Sequence, residues 1–293
     1  FRAKQKGRCT ACFFAFEMNQ KAQERIQLES RLHRAIERDE LMLVYQPIIE
    51  AEQTHIVGVE ALVRWENREL GLMVPDRFIP LAENNGLIVP IGAWVLQQAC
   101  QQAMEWSARL PLRIAVNVSA QQFKSPSFYG EIVKALDESG LAPDRLEIEV
   151  TERVLMDDAP QIHHTFLRLR ELGVRLSIDD FGTGYSSLSY LKRFPFDVLK
   201  IDRSFVRDIP KDKDNALLVE SLISFAHRIG LEVLAEGVET QEQLDFLKRS
   251  GCQLIQGYYL GRPMGVEKFE AWLDTHLQSA SSRGTAIELK TEM

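Results

Sequence analysis

Apolar residues along this chain cluster in short runs at 42–49, 56–65, 112–118, 145–150, 174–179, 197–201, 231–235 and 253–255. Between most of them lie segments whose apolar positions recur at helical spacing, notably 91–109, 127–139, 160–172, 213–230, 240–250 and 266–278. Strand-length runs that alternate with helices predict parallel βα units. Eight such strands over about 240 residues match the size of a (β/α)8 barrel. Only residues 51–55 separate the first two runs, too few for a crossover helix, so those strands predict a hairpin that departs from the all-parallel pattern. The fold class is therefore α/β, a barrel with an antiparallel early strand.

Domain boundaries lie where the pattern changes. Residues 1–18 read as the end of a basic helix and a strand, unlike the rest of the chain, and 19–40 as a connector helix with Ile26, Leu28, Leu32, Ala35 and Ile36 on its apolar stripe. The barrel pattern runs over 41–278, and the Ser-, Gly- and Thr-rich residues 279–293 predict a disordered tail. A chain that opens on Phe1 reads as part of a longer protein.

The hydrophobic content of 45% supplies a substantial core, while 35 Lys and Arg against 42 Asp and Glu give a formal charge of −7. That balance excludes the broad basic surface needed to bind a nucleic acid polymer, but not a small anion drawn in by cations. No run is long and apolar enough to span a membrane and no signal peptide is evident, so a cytoplasmic domain is expected, with the parent protein free to carry a membrane anchor. Cysteines at 9, 12, 100 and 252 are too few for a disulfide framework, and the lone Cys9–Cys12 pair lacks partners for zinc.

Polar residues interrupt the runs near their carboxyl ends. Side chains alternate along a strand, so Glu60, Leu62 and Arg64 share one face, Asn117 opposes Val116 and Val118, Glu149 opposes Ile148 and Val150, and Asp179 lies with Ser177. Lys200, Glu236 and Gln256 end later runs in the same way. A barrel gathers those ends at one mouth, where active sites sit. Lys200 and Arg64 then face Glu60, Glu149, Glu152, Asp179, Asp180 and Glu236, an imbalance that calls for hard divalent cations. Adjacent Asp179 and Asp180 cannot both point inward from a regular strand, but at a strand end, where 181–184 turns the chain, both can reach metals. A Schiff-base role for Lys200, as in barrel aldolases, is the competing chemistry, and crowded carboxylates oppose it by keeping the amine protonated.

These residues are recognisable together. Glu60-Ala61-Leu62 with Val63-Arg64-Trp65 resembles the signature of the EAL family of cyclic di-GMP phosphodiesterases. The resemblance extends through Tyr45-Gln46-Pro47, Asn117-Val118-Ser119, Glu149-Val150-Thr151-Glu152, the segment from Asp179-Asp180-Phe181-Gly182 to Leu188, Lys200-Ile201-Asp202, Glu236-Gly237-Val238-Glu239-Thr240 and Gln256-Gly257-Tyr258. Residues 1–16 resemble the last helix and strand of a GGDEF domain. The resemblance implies a modified TIM (β/α)8 barrel and hydrolysis of cyclic di-GMP to linear pGpG, with a non-hydrolysing cyclic di-GMP receptor as the alternative. It implies that Glu60, Asn117, Glu149 and Asp179 hold one Mg²⁺ or Mn²⁺, and Asp179, Asp180 and Glu236 a second. Ca²⁺ is expected to inhibit. Lys200 would orient the attacking water, Glu236 serve as base, and Gln256 support the water or metal shell. Gln46, Leu62 and Arg64 would contact the dinucleotide, and Glu152 would brace the loop after the paired aspartates. Pairing of two copies through 185–196, and upstream GGDEF or sensory domains, are further implications.

Overall fold

Short apolar runs form strands throughout, and nine are present among the described residues: β1 Leu41–Glu50, β2 Ile56–Asn67, β3 Gly71–Met73, β4 Arg113–Val118, β5 Leu146–Thr151, β6 Arg175–Phe181, β7 Val198–Ile201, β8 Glu232–Ala235 and β9 Leu254–Ile255. The computed structural model describes residues 26–53, 55–156, 160–182 and 193–288, the side chains of 156, 160 and 278–288 excepted. The strand order is β1-β9-β8-β7-β6-β5-β4-β2-β3, and a β1–β2 pairing closes the barrel on itself. Neighbours from β2 through β4 to β9 are parallel, whereas β1 runs antiparallel to β9, as the short first link predicts.

By contact the chain divides into two units, Phe1–Met42 with Arg64–Ile91, and Leu43–Val63 with Gly92–Met293. The larger unit holds the barrel, whose interior is layered. Its middle is apolar, built from buried Ile48, Ala115, Val198, Leu234 and Leu254 with Val57 against them. Toward the amino ends of the strands, Arg175 ion-pairs with Glu147 at 3.5 Å and Glu232 at 2.5 Å, and Arg113 reaches Glu232 at 3.4 Å. Outside the barrel, Phe166 on the helix Pro160–Leu172 packs against Phe123, Phe194 and Phe196 with ring centroids 4.5, 4.9 and 5.4 Å away. Phe194 and Phe196, whose sequence suits a pairing surface or core packing equally well, are buried in this core, and Leu188, Tyr190 and Leu191 lie outside the described residues.

The smaller unit is organised around Glu40, which accepts hydrogen bonds from Trp65 Nε1 at 2.9 Å and Asn67 Nδ2 at 3.0 Å. Trp65 meets Phe78 edge-on, with ring centroids 5.9 Å apart, on the helix Pro75–Asn85. Pro75 opens that helix where no backbone donor is needed, and Gly86, at φ 79°, closes it in the left-handed conformation that glycine adopts freely. This helix and β3 are absent from the sequence expectation.

Two boundary expectations change. Of the connector helix predicted over 19–40, the described part is helical over 26–32 and then turns through residue 39, where hydrogen bonds tighten from His33 N to Glu29 O into Arg34 N to Arg31 O and Ala35 N to Leu32 O. The last helix, Val266–Glu288, continues ten residues past the end of the 266–278 helix predicted from periodicity, into the tail predicted as disordered. Once Phe269 and Leu273 are buried, each added residue gains a bond at small entropic cost. Residues 1–25 and 289–293 lie outside the described residues.

Candidate active site

Parallel register brings the polar strand ends level. Asn117 on β4 pairs with Glu149 on β5, and Thr151 on β5 with Asp179 on β6, while Lys200 is the third residue of β7 and Glu236 follows β8 directly. Lys200 is fully buried at the centre of this end of the barrel. Its Nζ lies 2.7 Å from Glu149 Oε2, 2.7 Å from Glu236 Oε1, 3.5 Å from Asp179 Oδ1 and 3.9 Å from Glu60 Oε1. Glu60 Oε1 accepts from Asn117 Nδ2 at 2.6 Å, and its other oxygen from Gln256 Nε2 at 2.7 Å. The Gln256 amide also reaches Gln46 Oε1 at 3.1 Å, and Gln46 donates to Gly261 O at 3.1 Å. The structure thus joins Gln46, Glu60, Asn117, Glu149, Asp179, Lys200, Glu236 and Gln256 in one contact network.

Burial and charge set the protonation of the ring. Burial alone would push the Lys200 ammonium down, but Asp179, Glu149, Glu236 and Glu60 hold it well above its ordinary value. It stays charged at neutral pH, which removes the free amine an aldolase needs. Burial raises Glu60 in turn, and Lys200 with the Gln256 and Asn117 hydrogen bonds outweighs it, leaving that carboxyl below its usual range. Glu149 goes the other way: burial, with Glu60 and Asp179 close by, raises it well above normal despite Lys200. Glu236 is pushed up to about 8 chiefly by burial.

The paired aspartates sit on a local irregularity. Strand β6 continues past Asp179 to Phe181, with its register against β7 shifting between Ile178 and Phe181. Asp180 occupies the left-handed region at φ 56°. A bulge of this kind re-aims side chains, and here Asp179 lies 3.5 Å from Lys200 Nζ while Asp180 is the more exposed of the two. The Asp180 carboxyl is raised by burial and by Asp179 and Asp202. A second close approach lies after β9, where a Cβ on Gly257 would fall 2.1 Å from Val238 O, so only glycine lets the chain beyond Gln256 lie against that backbone.

Other expected residues are placed less closely. Glu152 is buried at the start of the short helix Glu152–Met156, directly after β5, and most of the loop it was expected to brace lies outside the described residues. Leu62 is half-buried on β2, and Arg64, half-buried on the same strand, belongs to the smaller unit. Sequence reasoning missed Gln243, buried in the first turn of the helix Gln241–Arg249, although Thr240-x-x-Gln243 is a readable capping box.

The donor set suits hard divalent ions, since it consists of carboxylate and amide oxygens, and Glu149 Oε1 is buried without a hydrogen-bond partner. Among the described residues, however, no three His, Cys, Asp or Glu side chains converge as ligands. The carboxylates gather instead around Lys200 Nζ. Among the described residues, too, no helix is long and apolar enough to cross a membrane.

Comparison with known proteins bears on this geometry directly. The chain is 46% identical over 273 residues to the bifunctional diguanylate cyclase/cyclic di-GMP phosphodiesterase MucR of Pseudomonas aeruginosa, covering 92% of this chain and 40% of MucR. It is 44% identical over 274 residues to the cyclic di-GMP phosphodiesterase NbdA of the same organism, covering 93% of this chain and 35% of NbdA. It therefore spans well under half the length of these relatives. Among solved structures, the PaMucR phosphodiesterase in complex with c-di-GMP superposes with a TM-score of 0.79 at 46% identity, over 83% of this chain and 99% of that one. The EAL domain of Mycobacterium smegmatis DcpA superposes with a TM-score of 0.68 at 32% identity, over 81% of this chain and 97% of that one. The profile of the EAL domain matches residues 29–263, a span that takes in every strand of the barrel, and the chain belongs to the EAL domain family.

Proposed function

We propose that this chain is a metal-dependent phosphodiesterase that hydrolyses cyclic di-GMP to linear pGpG. The observation that carries the reading is the ring of Glu60, Glu149, Asp179 and Glu236 around one buried ammonium, at a barrel mouth, in a chain 46% identical to a relative named for this activity. Glu60, Asn117, Glu149 and Asp179 would hold one Mg²⁺ or Mn²⁺, and Asp179, Asp180 and Glu236 the second. Bound there, two such ions supply Lewis acidity toward the phosphodiester and toward water.

The chain's own groups do the remaining work. Lys200 Nζ donates to the attacking water and holds it against the ring. Glu236, with Oε1 2.7 Å from Lys200 Nζ, takes the proton as the water oxygen bonds to phosphorus and the bond to the departing 3′ oxygen breaks, that oxygen taking a proton from solvent. Gln256 keeps Glu60 oriented through its 2.7 Å hydrogen bond. Gln46, Leu62 and Arg64 contact the dinucleotide, and Glu152 braces the loop after Asp180.

Incubation with cyclic di-GMP and Mg²⁺, then chromatography, tests the reading. Linear pGpG is expected, with turnover lost in excess EDTA and in Ca²⁺, whose longer bonds misplace the reacting groups. Tight binding with the cyclic dinucleotide left intact would favour a receptor instead, and full turnover in EDTA would end the metal assignment.

A further inference from the structure

Gln243 is a buried carboxamide that uses its whole hydrogen-bonding capacity on backbone groups. Its Oε1 accepts from Glu239 N at 2.7 Å and Thr240 N at 3.0 Å. That half is the reciprocal arm of a helix cap, matched by the bond from Gln243 N to Thr240 Oγ1 at 3.2 Å. The other half exceeds what capping requires. Nε2 donates to Val206 O at 3.1 Å and to Arg207 O at 2.9 Å, so one side chain ties the loop after β8 to the loop after β7. Those loops begin at Glu236 and just beyond Lys200.

Two close backbone approaches reinforce the tie. Gly237, directly after Glu236 and at φ 70°, faces Arg203 so tightly that a Cβ there would fall 2.5 Å from Arg203 Cβ. Glu236 N donates to Ile201 O at 3.1 Å. On the other side, a Cβ at Gly182, two residues past Asp180, would fall 3.0 Å from the Phe205 ring. The short helix Arg203–Val206 is therefore wedged between the strand ends that carry Asp179 with Asp180 and Glu236, and Gln243 fastens its far end.

We infer that Gln243 is a positioning residue for the reaction: by holding Val206 and Arg207 it sets the spacing of Glu236 from Lys200 and from the paired aspartates. The inference rests on the phosphodiesterase reading. A merely structural role would lower stability and leave the chemistry alone, whereas a positioning role makes turnover sensitive to small displacements of the ring.

Gln243→Glu separates the two, because it keeps the acceptor that caps the helix and replaces the donor with an oxygen facing two carbonyls. In the full chain, with cyclic di-GMP and Mn²⁺, we expect kcat to fall by roughly 10- to 100-fold, KM to change little and more Mn²⁺ to be needed for half-maximal rate. Backbone amides of 236–240 should exchange hydrogen faster. Gly237→Ala, which forces Arg203 away but leaves the cap intact, should give the same kcat loss and guards against misfolding of the first variant. A Gln243→Glu enzyme, or a Gly237→Ala enzyme should the first not fold, with wild-type kcat and Mn²⁺ requirement overturns the inference, whatever its melting temperature. An inactive wild type overturns the phosphodiesterase reading itself, an outcome distinct from active wild type with unaffected variants.

Discussion

The two ends of one barrel carry charge in opposite styles. At the amino ends, Arg113 and Arg175 meet Glu147 and Glu232, as many cations as anions, within 2.5 to 3.5 Å. At the carboxyl ends of the same strands and their neighbours, Glu60, Glu149, Asp179 and Glu236 surround the single ammonium of Lys200. Ile48, Ala115, Val198, Leu234 and Leu254 separate the two layers. A balanced cluster neutralises its own charge. In the unbalanced one, burial and crowded carboxylates raise Glu149 well above its ordinary value and push Glu236 up to about 8, and shifts of this kind cluster at functional sites. Imbalance, more than the number of buried charges, separates the working end from the closed one.

Substitutions that respect this division sharpen it. The largest effect belongs to Glu236→Gln, which keeps shape and removes the base: kcat should drop by roughly 10²-fold or more, while calorimetry finds cyclic di-GMP affinity nearly intact. A smaller loss, on the order of 10-fold, is expected for Glu152→Ala, with melting temperature little changed. Wild-type turnover there would reduce Glu152 to an ordinary buried acid. The least effect on turnover belongs to the opposite end. Arg175→Met strips Glu147 of its cation and should cost about 2 kcal/mol in urea unfolding, discounted because Arg175 is a quarter exposed, yet leave kcat unchanged. A matching fall in kcat would mean that the apolar layer does not isolate the two ends.

Much of this was legible in the chain. Strand-length runs predicted the barrel strands, because burial on both faces leaves an almost unbroken apolar signature. The antiparallel first strand could be read from the length of 51–55 alone. What escaped were elements with exposed or polar faces. Around β3, Leu70, Leu72 and Val74 are exposed, so their alternation marks no core, and Pro80 inside the helix Pro75–Asn85 disguises it as a loop. Site residues were legible as a set, since parity and strand ends sort them. Their organisation around Lys200 was not, because the ammonium's four neighbours come from four strands or their ends. Gln243 was visible only as a cap, since Val206 and Arg207 lie more than thirty residues earlier and join it through the fold.

The left-handed Asp180 carries a last consequence, for laboratory evolution. A side chain at φ 56° stores strain that glycine would release, by roughly 1 kcal/mol, and glycine would also relieve the repulsion from Asp179. Asp180→Gly should therefore raise the melting temperature while ending turnover. A library selected for heat resistance alone would drift toward that variant and discard its own chemistry, so any thermostabilisation of this barrel has to screen for hydrolysis in the same round.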